Sequence, residues 1–355
     1  MLNFAIVGCG RIARKHAGNL GEGKIPNAKL TAVCDIQEDR AKHYGEKYDV
    51  PWYTDMHKMM EVEGQNIDVL DILTPSGDHA EHTVQLAKYG KHIVVEKPMA
   101  LTLDDADRMI EACDRAGVKL FVVKQNRLNL PVKKLREAIE NNHFGKMVMG
   151  TVRVRWCRDQ EYYDQDAWRG TWQHDGGVFA NQAIHHVDLL QWMMGPVESV
   201  YAKSATRLVN IEAEDTGVVI LKFKSGALGV IEATTGTRPK NIEGSISVLG
   251  EKGTVEIGGF AVNEMKIWNF VDQDEKEKED IIASYRNNPP DVYGYGHTEY
   301  LANVVESITE KKSALVDGLA GRKSLELIAA IYESIETGKE VQVNFVPQKC
   351  KLGLN

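Results

Sequence analysis

A chain of 355 residues with 43% hydrophobic content is long enough for about two domains, each with its own core. With 43 Lys and Arg against 51 Asp and Glu, the formal net charge of -8 argues against a general nucleic-acid or anionic-membrane surface, so any anionic ligand must be held by local cations. The five cysteines (Cys9, Cys34, Cys113, Cys157, Cys350) are scattered without a CxxC spacing, which speaks against a disulfide framework or a zinc site and fits a reducing cytoplasm.

The start, Met1-Leu2-Asn3-Phe4, carries no basic segment leading into an apolar one, and no run reaches the roughly 20 apolar residues of a membrane span. A soluble cytoplasmic protein is expected. Phe4-Ala5-Ile6-Val7 reads as a buried strand that runs into Gly8-Cys9-Gly10-Arg11-Ile12-Ala13, after which residues 14–20 read as a helix. Glycines here let the backbone turn tightly against a pyrophosphate, whose charge then sits at a helix N-terminus; Ala13 stands where a third glycine is common. The motif alone is weak, since glycine pairs also mark ordinary turns. Its context strengthens it: residues 30–34 form the next apolar strand, ending at Asp35, an acid placed to bind an adenosine ribose and repel a 2′-phosphate. That favours NAD over NADP; the alternative for Asp35 is a helix N-cap.

Residues 69–73 give a third strand with the exit loop Thr74-Pro75-Ser76, residues 92–96 a fourth and residues 119–124 one more, with helical patterns at 79–89 and 103–116 between them. This alternation predicts an α/β, doubly wound parallel sheet over residues 1–123. His79 is either a ligand contact or a helix-cap histidine. Val94-Val95-Glu96-Lys97-Pro98 ends the fourth strand abruptly at two charges, where open α/β sheets place ligands. A solvated strand-end lysine is the plain reading of Lys97, and a lysine aimed at the cofactor is the sharper one.

Residues 124–355 read as a second, α+β domain. After a helix at 131–141 the chain alternates through 147–156, 199–205, 218–223, 228–234, 245–249, 254–257 and 265–270, several runs being joined by turns such as Lys224-Ser225-Gly226. Short glycine turns between period-two runs predict a large, mostly antiparallel sheet. Asp175-Gly176-Gly177 precedes a predicted helix on which Asn181 and His185, four residues apart, share a face. A histidine beside a core stripe is more often structural than a base, and for His186 that reading stands. The run 272–280 reads as a solvated loop, residues 293–297 as a glycine-rich helix entry or site lining, and 320–337 as an amphipathic packing helix.

A dinucleotide fold whose fourth strand ends in Glu96-Lys97-Pro98 resembles the glucose-fructose oxidoreductase/inositol dehydrogenase (Gfo/Idh/MocA) family over essentially the whole chain. The blocks Gln125-Asn126-Arg127, Gln160-Glu161-Tyr162-Tyr163-Asp164, Trp168-Arg169-Gly170-Thr171-Trp172, Asn181-Gln182-Ala183 with His185, and Pro239-Lys240-Asn241 look like one bacterial subgroup, which oxidises the 3-hydroxyl of UDP-N-acetyl-hexosaminuronic acids for surface-polysaccharide (lipopolysaccharide) synthesis. The resemblance implies an NAD-dependent dehydrogenase acting on CH–OH groups, a cis proline after Lys97, no metal, and a dimer or tetramer packed through the second domain's sheet. It implies catalytic roles for His185 as base and for Lys97 at the same reacting oxygen, either of the two carrying the proton, and for Glu96 and Asn181. Cofactor contacts are implied at Gly8, Gly10, Arg11, Ile12, Ala13, Asp35, Thr74, Pro75, Ser76, His79, Glu96, Lys97, Gln125, Trp168 and Arg169. Substrate contacts are implied at Lys97, Arg127, Arg153, Arg155, Tyr162, Tyr163, Asn181, His185, Arg238, Lys240 and Asn241, the cations answering a diphosphate and a carboxylate. Much of the wider family has Asp where this chain has Asn181, and an amide there spares a substrate carboxylate from repulsion. Arg153 and Arg155 share a strand face, with interface charge as their alternative. The other readings are a dehydrogenase of another nucleotide-linked or free sugar, and a non-catalytic NAD-binding sensor, which would need neither Lys97 nor His185.

Overall fold

A computed structural model describes residues 1–286, 289, 292, 294–343 and 352–353; Tyr293 and Cys350 lie outside the described residues. The chain divides into two compact units, residues 1–124 with 297–325, and residues 125–296 with 326–355.

The first unit opens with β1 (Leu2–Val7), α1 (Ala13–Gly21), β2 (Ala28–Cys34), α2 (Glu38–Tyr48), β3 (Trp52–Tyr53) and α3 (Met56–Glu63). It continues through β4 (Val69–Ile72), α4 (His79–Ala87), β5 (His92–Val95), α5 (Leu103–Ala116) and β6 (Leu120–Val122). The strands form one parallel sheet in the order β3-β2-β1-β4-β5-β6. Its central strands are buried throughout, which is why their sequences are near-continuous apolar runs and not alternating ones. Strand order reverses between β1 and β4, and the carboxyl ends of the strands at such a reversal are where doubly wound sheets bind nucleotides.

The second unit holds α6 (Leu130–Glu140), β7 (Met147–Arg155), α7 (Gln160–Asp164), α8 (Ile184–Met194), β8 (Val197–Ala205), β9 (Thr216–Phe223) and β10 (Leu228–Thr234). Then come β11 (Glu243–Gly250), β12 (Gly253–Gly258), β13 (Glu264–Phe270) and α9 (Glu275–Ser284). The final elements of the chain are α10 (Gly296–Thr309), which from His297 on belongs to the first unit, α11 (Gly318–Thr337), divided between the units after Leu325, and β14 (Val341–Gln342) of the second. Eight strands make one sheet in the order β13-β12-β11-β7-β10-β9-β8-β14, with β7 and β10 its one parallel pair. α8 packs on one face: a side chain at Gly150 of β7 would strike Leu190 and Met194. The opposite face carries Val218, Ile220 and Leu228, all exposed, beside the half-buried Arg153 and Arg155.

Two expectations change. Part of the C-terminal region returns to the first unit, which a single break at residue 123 does not describe. Val122 donates its backbone N–H to Val316 O, Lys124 Nζ donates to Ser324 Oγ at 2.8 Å, and Arg322 grips Asp107 through both carboxylate oxygens. The charge run at 272–280 is not a loop: Asp274 accepts the Lys276 N–H as an N-cap and α9 follows, its first turn carrying Glu275 and Glu277 where the helix dipole favours acids.

Candidate active site

In the first unit the glycine turn is tied down before α1 begins. Gly8 has φ +100°, and a side-chain carbon there would lie 2.7 Å from the Leu73 and Thr74 backbone, so only glycine fits. A side-chain carbon at Gly10 would meet nothing within 4 Å, which leaves the backbone open to close approach. The α1 N-cap, Ile12, offers no side-chain acceptor to the first-turn N–H groups, and Ala13 is buried while Arg11 is exposed. An open turn at a helix N-terminus suits a phosphate. Asp35, 9% exposed, accepts the N–H of Cys9 at 2.7 Å and of Gln37 at 2.8 Å. It joins the glycine turn to the end of β2 and is not the N-cap of α2, which falls at Gln37.

At the exit of β4, Thr74 Oγ1 contacts His82 at 3.0 Å, and Pro75 leads into a short turn in which Ser76 is buried. His79 is fully enclosed, its two ring nitrogens 2.7 Å from Pro98 O and 2.8 Å from Thr74 O. The ring thus lies between two loops, its neutral form donating to one of the two carbonyls, and burial lowers its pKa.

The Lys97–Pro98 peptide is cis. Glu96, 5% exposed, accepts the Lys97 N–H through Oε2 at 2.9 Å, while Oε1 faces His16 Nε2 at 3.2 Å and His297 Nε2 at 3.5 Å. Burial by itself would raise the Glu96 carboxyl, but the two imidazoles hold it well below the usual range. His16 also contacts Asp71 at 2.7 Å. Burial would lower the His16 pKa, yet Asp71 and Glu96 together push it up to about 10. His16 and Asp71 were not anticipated; a lone acid inside the apolar run of β4 is the signal that marks them.

In the second unit His185 is 7% exposed, and the side-chain nitrogen of Gln125 lies 3.1 Å from its Nε2. Asn181 does not share a helix face with His185. The chain from Gly177 to Ala183 runs in turns, Ala183 N reaching back to Val178 O, because Gly177 and Val178 are packed against Glu214; α8 starts only at Ile184. Asn181 Nδ2 instead donates to Asp175 Oδ1, and Asp175 Oδ2 accepts Gly170 N at 2.8 Å. The amide therefore replaces no charge outright: a buried carboxylate stands directly behind it. His186 is fully buried against Trp156, with burial pushing its pKa down to about 4, as a core histidine requires.

The cations sort by what they hold. Arg127 is clamped fork to fork on Asp188 at 2.8 Å for both bonds and lies over Trp192, so its guanidinium is committed inside the unit. Arg153 and Arg155 pair with Glu243, Glu256 and Glu232 on the sheet face opposite α8, away from His185 and Asn181. Arg238 spends its guanidinium on the carbonyls of Thr235, Thr237 and Arg158. Each of these four has carboxylate or carbonyl partners inside the second unit, which an anion contact would have to share. Lys240 is exposed, and Asn241 Oδ1 accepts Cys157 N and one Arg158 N–H.

The guanidinium carbons of Arg158 and Arg169 lie 5.1 and 4.9 Å from the ring centre of Tyr162, and Arg169 also lies over Trp168 at 4.5 Å. Arg169 donates to the Tyr162 hydroxyl and to Asp166. Tyr163 is buried against Thr235, and burial raises its pKa, so Tyr162 and not Tyr163 offers an accessible aromatic wall. Among the described residues one His/Glu group, His16, Glu96 and His297, has spacing a metal ion could use. No helix among the described residues is long and apolar enough to cross a membrane.

A glycine-cradled helix start, an acid closing β2 and a charged turn at the end of β5 define an NAD-binding oxidoreductase. Residues 2–124 match the family model for an oxidoreductase NAD-binding Rossmann fold, and residues 136–343 match that family's C-terminal alpha/beta domain. The chain belongs to the Gfo/Idh/MocA oxidoreductase family and is an NAD-dependent dehydrogenase. It is 33% identical to myo-inositol 2-dehydrogenase of Thermotoga maritima, over 97% of this chain and 99% of that one. It is 42% identical to the WlbA dehydrogenase of Bordetella pertussis, crystallised with NADH and UDP-GlcNAcA, with a TM-score of 0.90 and coverage of 97% and 98%. The WlbA dehydrogenase of Chromobacterium violaceum, crystallised with the same two ligands, is 43% identical with a TM-score of 0.89 and coverage of 97% and 96%.

Proposed function

We propose that this dehydrogenase oxidises the 3-hydroxyl of a UDP-N-acetyl-hexosaminuronic acid, UDP-GlcNAcA, to the 3-keto sugar, in the cytoplasm, on a route to surface polysaccharide. What carries the reading is the likeness, over 97% of this chain, to two dehydrogenases at 42% and 43% identity whose crystals hold UDP-GlcNAcA.

The Gly8–Ala13 turn, Asp35 and the loop from Thr74 to Ser76 would hold NAD, which when bound would supply the hydride acceptor. His185 is the general base. An amide N–H from Gln125 facing Nε2 favours the neutral ring with its lone pair on that nitrogen, and Nε2 takes the substrate proton when the substrate hydroxyl replaces the amide there. Lys97 donates to the oxygen of the reacting hydroxyl and stabilises the alkoxide charge that develops as the hydride leaves. Glu96 holds the Lys97 backbone through its N–H. Asn181 offers an uncharged side chain to a substrate that itself carries a carboxylate, and Lys240, Arg158, Arg169 and Tyr162 supply cations and a ring for the diphosphate and the base.

A homo-oligomer, dimer or tetramer, is part of the same proposal; the exposed Val218, Ile220 and Leu228 on the sheet of the second unit support it as a face a second copy would cover. The second reading, oxidation of a free polyol, is favoured by the relative that acts on myo-inositol. The deciding experiment incubates purified protein with NAD and a panel of UDP-uronic acids, UDP-sugars, free sugars and inositols, following both reduced nicotinamide and the keto product. Turnover confined to a free polyol would overturn the reading.

A further inference from the structure

His16 lies in the third position after Ala13 on α1, the helix that follows the glycine turn, and is wholly buried. Its ring touches two carboxylates from two other elements: Asp71 on β4 through Nδ1 at 2.7 Å and Glu96, just past β5, through Nε2 at 3.2 Å. A carboxylate only accepts, and a neutral imidazole has a single N–H, so serving both sides takes the doubly protonated ring. Asp71 makes the demand strict. It is 0% exposed, and Oδ1 has no hydrogen-bond partner among the described residues, so His16 is its neutralising contact.

Glu96 Oε1 is faced by a second ring, His297 on α10, which meets His16 edge-on with ring centres 5.3 Å apart. The other oxygen of Glu96 accepts the Lys97 N–H. One carboxylate thus joins a buried cation on one side to the turn that carries Lys97 on the other. The charged and titratable groups around the pair are Asp71, Glu96, His297, Lys15 on α1 and, beyond Glu96, His79. The same three side chains, His16, Glu96 and His297, have metal-ligand spacing, but a ring protonated on both nitrogens has no lone pair to give an ion.

We propose that His16 is a positioning residue: a buried imidazolium, anchored on Asp71 and flanked by His297, that keeps Glu96 ionised and in place against the Lys97 amide, and so fixes the turn from which Lys97 acts. The proposal rests on the role given to Lys97 in the proposed function.

Three measurements test it. In the wild-type protein, ring nitrogen shifts of isotopically labelled histidine should show both nitrogens of His16 protonated and unchanged from about pH 6 to about pH 9. A neutral tautomer at about pH 8, or stoichiometric zinc in the purified protein, would overturn the proposal. In His16→Gln, kcat on UDP-GlcNAcA should fall about tenfold or more near neutral pH, because a misplaced catalytic group is costly, while the NAD dissociation constant stays within about threefold. Glu96 has then lost its cation, so burial lets it take up a proton and a new acidic limb appears: kcat recovers as pH rises. A loss that is flat with pH would mark His16 as merely structural. If His16→Gln does not fold, the ring nitrogen shifts of the wild-type protein carry the test alone, and a neutral tautomer there overturns the proposal. If wild-type protein fails to turn over UDP-GlcNAcA, the substrate reading has failed, and the positioning claim is read from the Lys97 side-chain carbon resonance in the NAD complex. That signal should move in His16→Gln, and an unchanged signal would overturn the claim.

Discussion

The side-chain amide of Gln125 stands 3.1 Å from Nε2 of His185, with both residues buried in the second unit. An amide nitrogen can only donate, so this contact assigns the lone pair of the ring to Nε2 and the ring proton to Nδ1. The choice of residue at 125 therefore sets which form of the proposed base is favoured. Gln125→Glu replaces the donor by a carboxylate, which favours the protonated ring and raises the His185 pKa by about one unit or more. An alcohol oxidation needs the unprotonated ring, so the acidic limb of kcat/KM should move to higher pH and activity near pH 7 should fall about tenfold. A limb that stays where it was would separate Gln125 from the base.

Asn181 and Asp175 are in direct side-chain contact, with Asp175 only 1% exposed. Asn181→Asp would press a second carboxylate onto the first, and one of the two would have to hold a proton. We expect a loss of about 1–3 kcal/mol that depends on pH. The added acid has a raised folded pKa, so the penalty is absent below the unfolded carboxylate pKa and grows as pH rises through the folded one. Thermal unfolding at about pH 5 and about pH 8 reads this directly: the variant should approach wild type at the lower pH and fall below it at the higher. Equal deficits at both would show that the two carboxylates do not meet.

Lys97→Met removes the ammonium while keeping a flexible stem of similar length. Turnover should drop by at least about a hundredfold, as when a donor to a developing oxyanion is deleted, with NAD affinity within about threefold of wild type. Nucleotide fluorescence titration and stopped assays of keto product separate the two effects. Retention of a tenth of the wild-type rate would remove Lys97 from the chemistry.

Local chemistry made the nucleotide half readable. The Gly8–Gly10 turn, Asp35 and the Glu96-Lys97-Pro98 ending all lie within single strand-to-helix units, where spacing along the chain is also spacing in space. Partners far apart in sequence were out of reach. Nothing near Arg127 announces that Asp188, 61 residues on, accepts from two of its nitrogens, or that Arg238 donates to three carbonyls. A count of arginines measures supply without showing demand. The return of residues 297–325 to the first unit depends on pairs such as Asp107 with Arg322, about two hundred positions apart, which composition and periodicity do not encode. α9 escaped because a helix made of charges has no apolar stripe to reveal its period, and only the Asp274 cap hints at it. Asp71 was legible in principle: an acid in the middle of a buried strand must have a partner.

Glu214 is a last buried acid whose cost can be measured. Its Oε1 accepts the Phe179 N–H at 3.0 Å and the Tyr332 hydroxyl at 2.9 Å, and Tyr332 Oη in turn accepts Gly177 N at 3.2 Å, so it braces the loop that leads to Asn181 and His185. Burial is the main reason that its pKa is raised to about 7, with Asp175 adding to the effect against three hydrogen bonds that lower it. Because the folded value lies above the unfolded one, its contribution to stability is fully present below about pH 4.5 and is lost as pH rises through about 7. Holding the ionised group at about pH 8 costs up to about 3 kcal/mol. Glu214→Gln keeps an oxygen for Phe179 and Tyr332 and cannot ionise. The variant should therefore gain on the order of 1–3 kcal/mol over wild type at about pH 8, with the gain vanishing near pH 5, as denaturant midpoints at the two pH values would show. No gain at the higher pH would mean that the charge is compensated in the fold, and the brace would then work equally well in its ionised form.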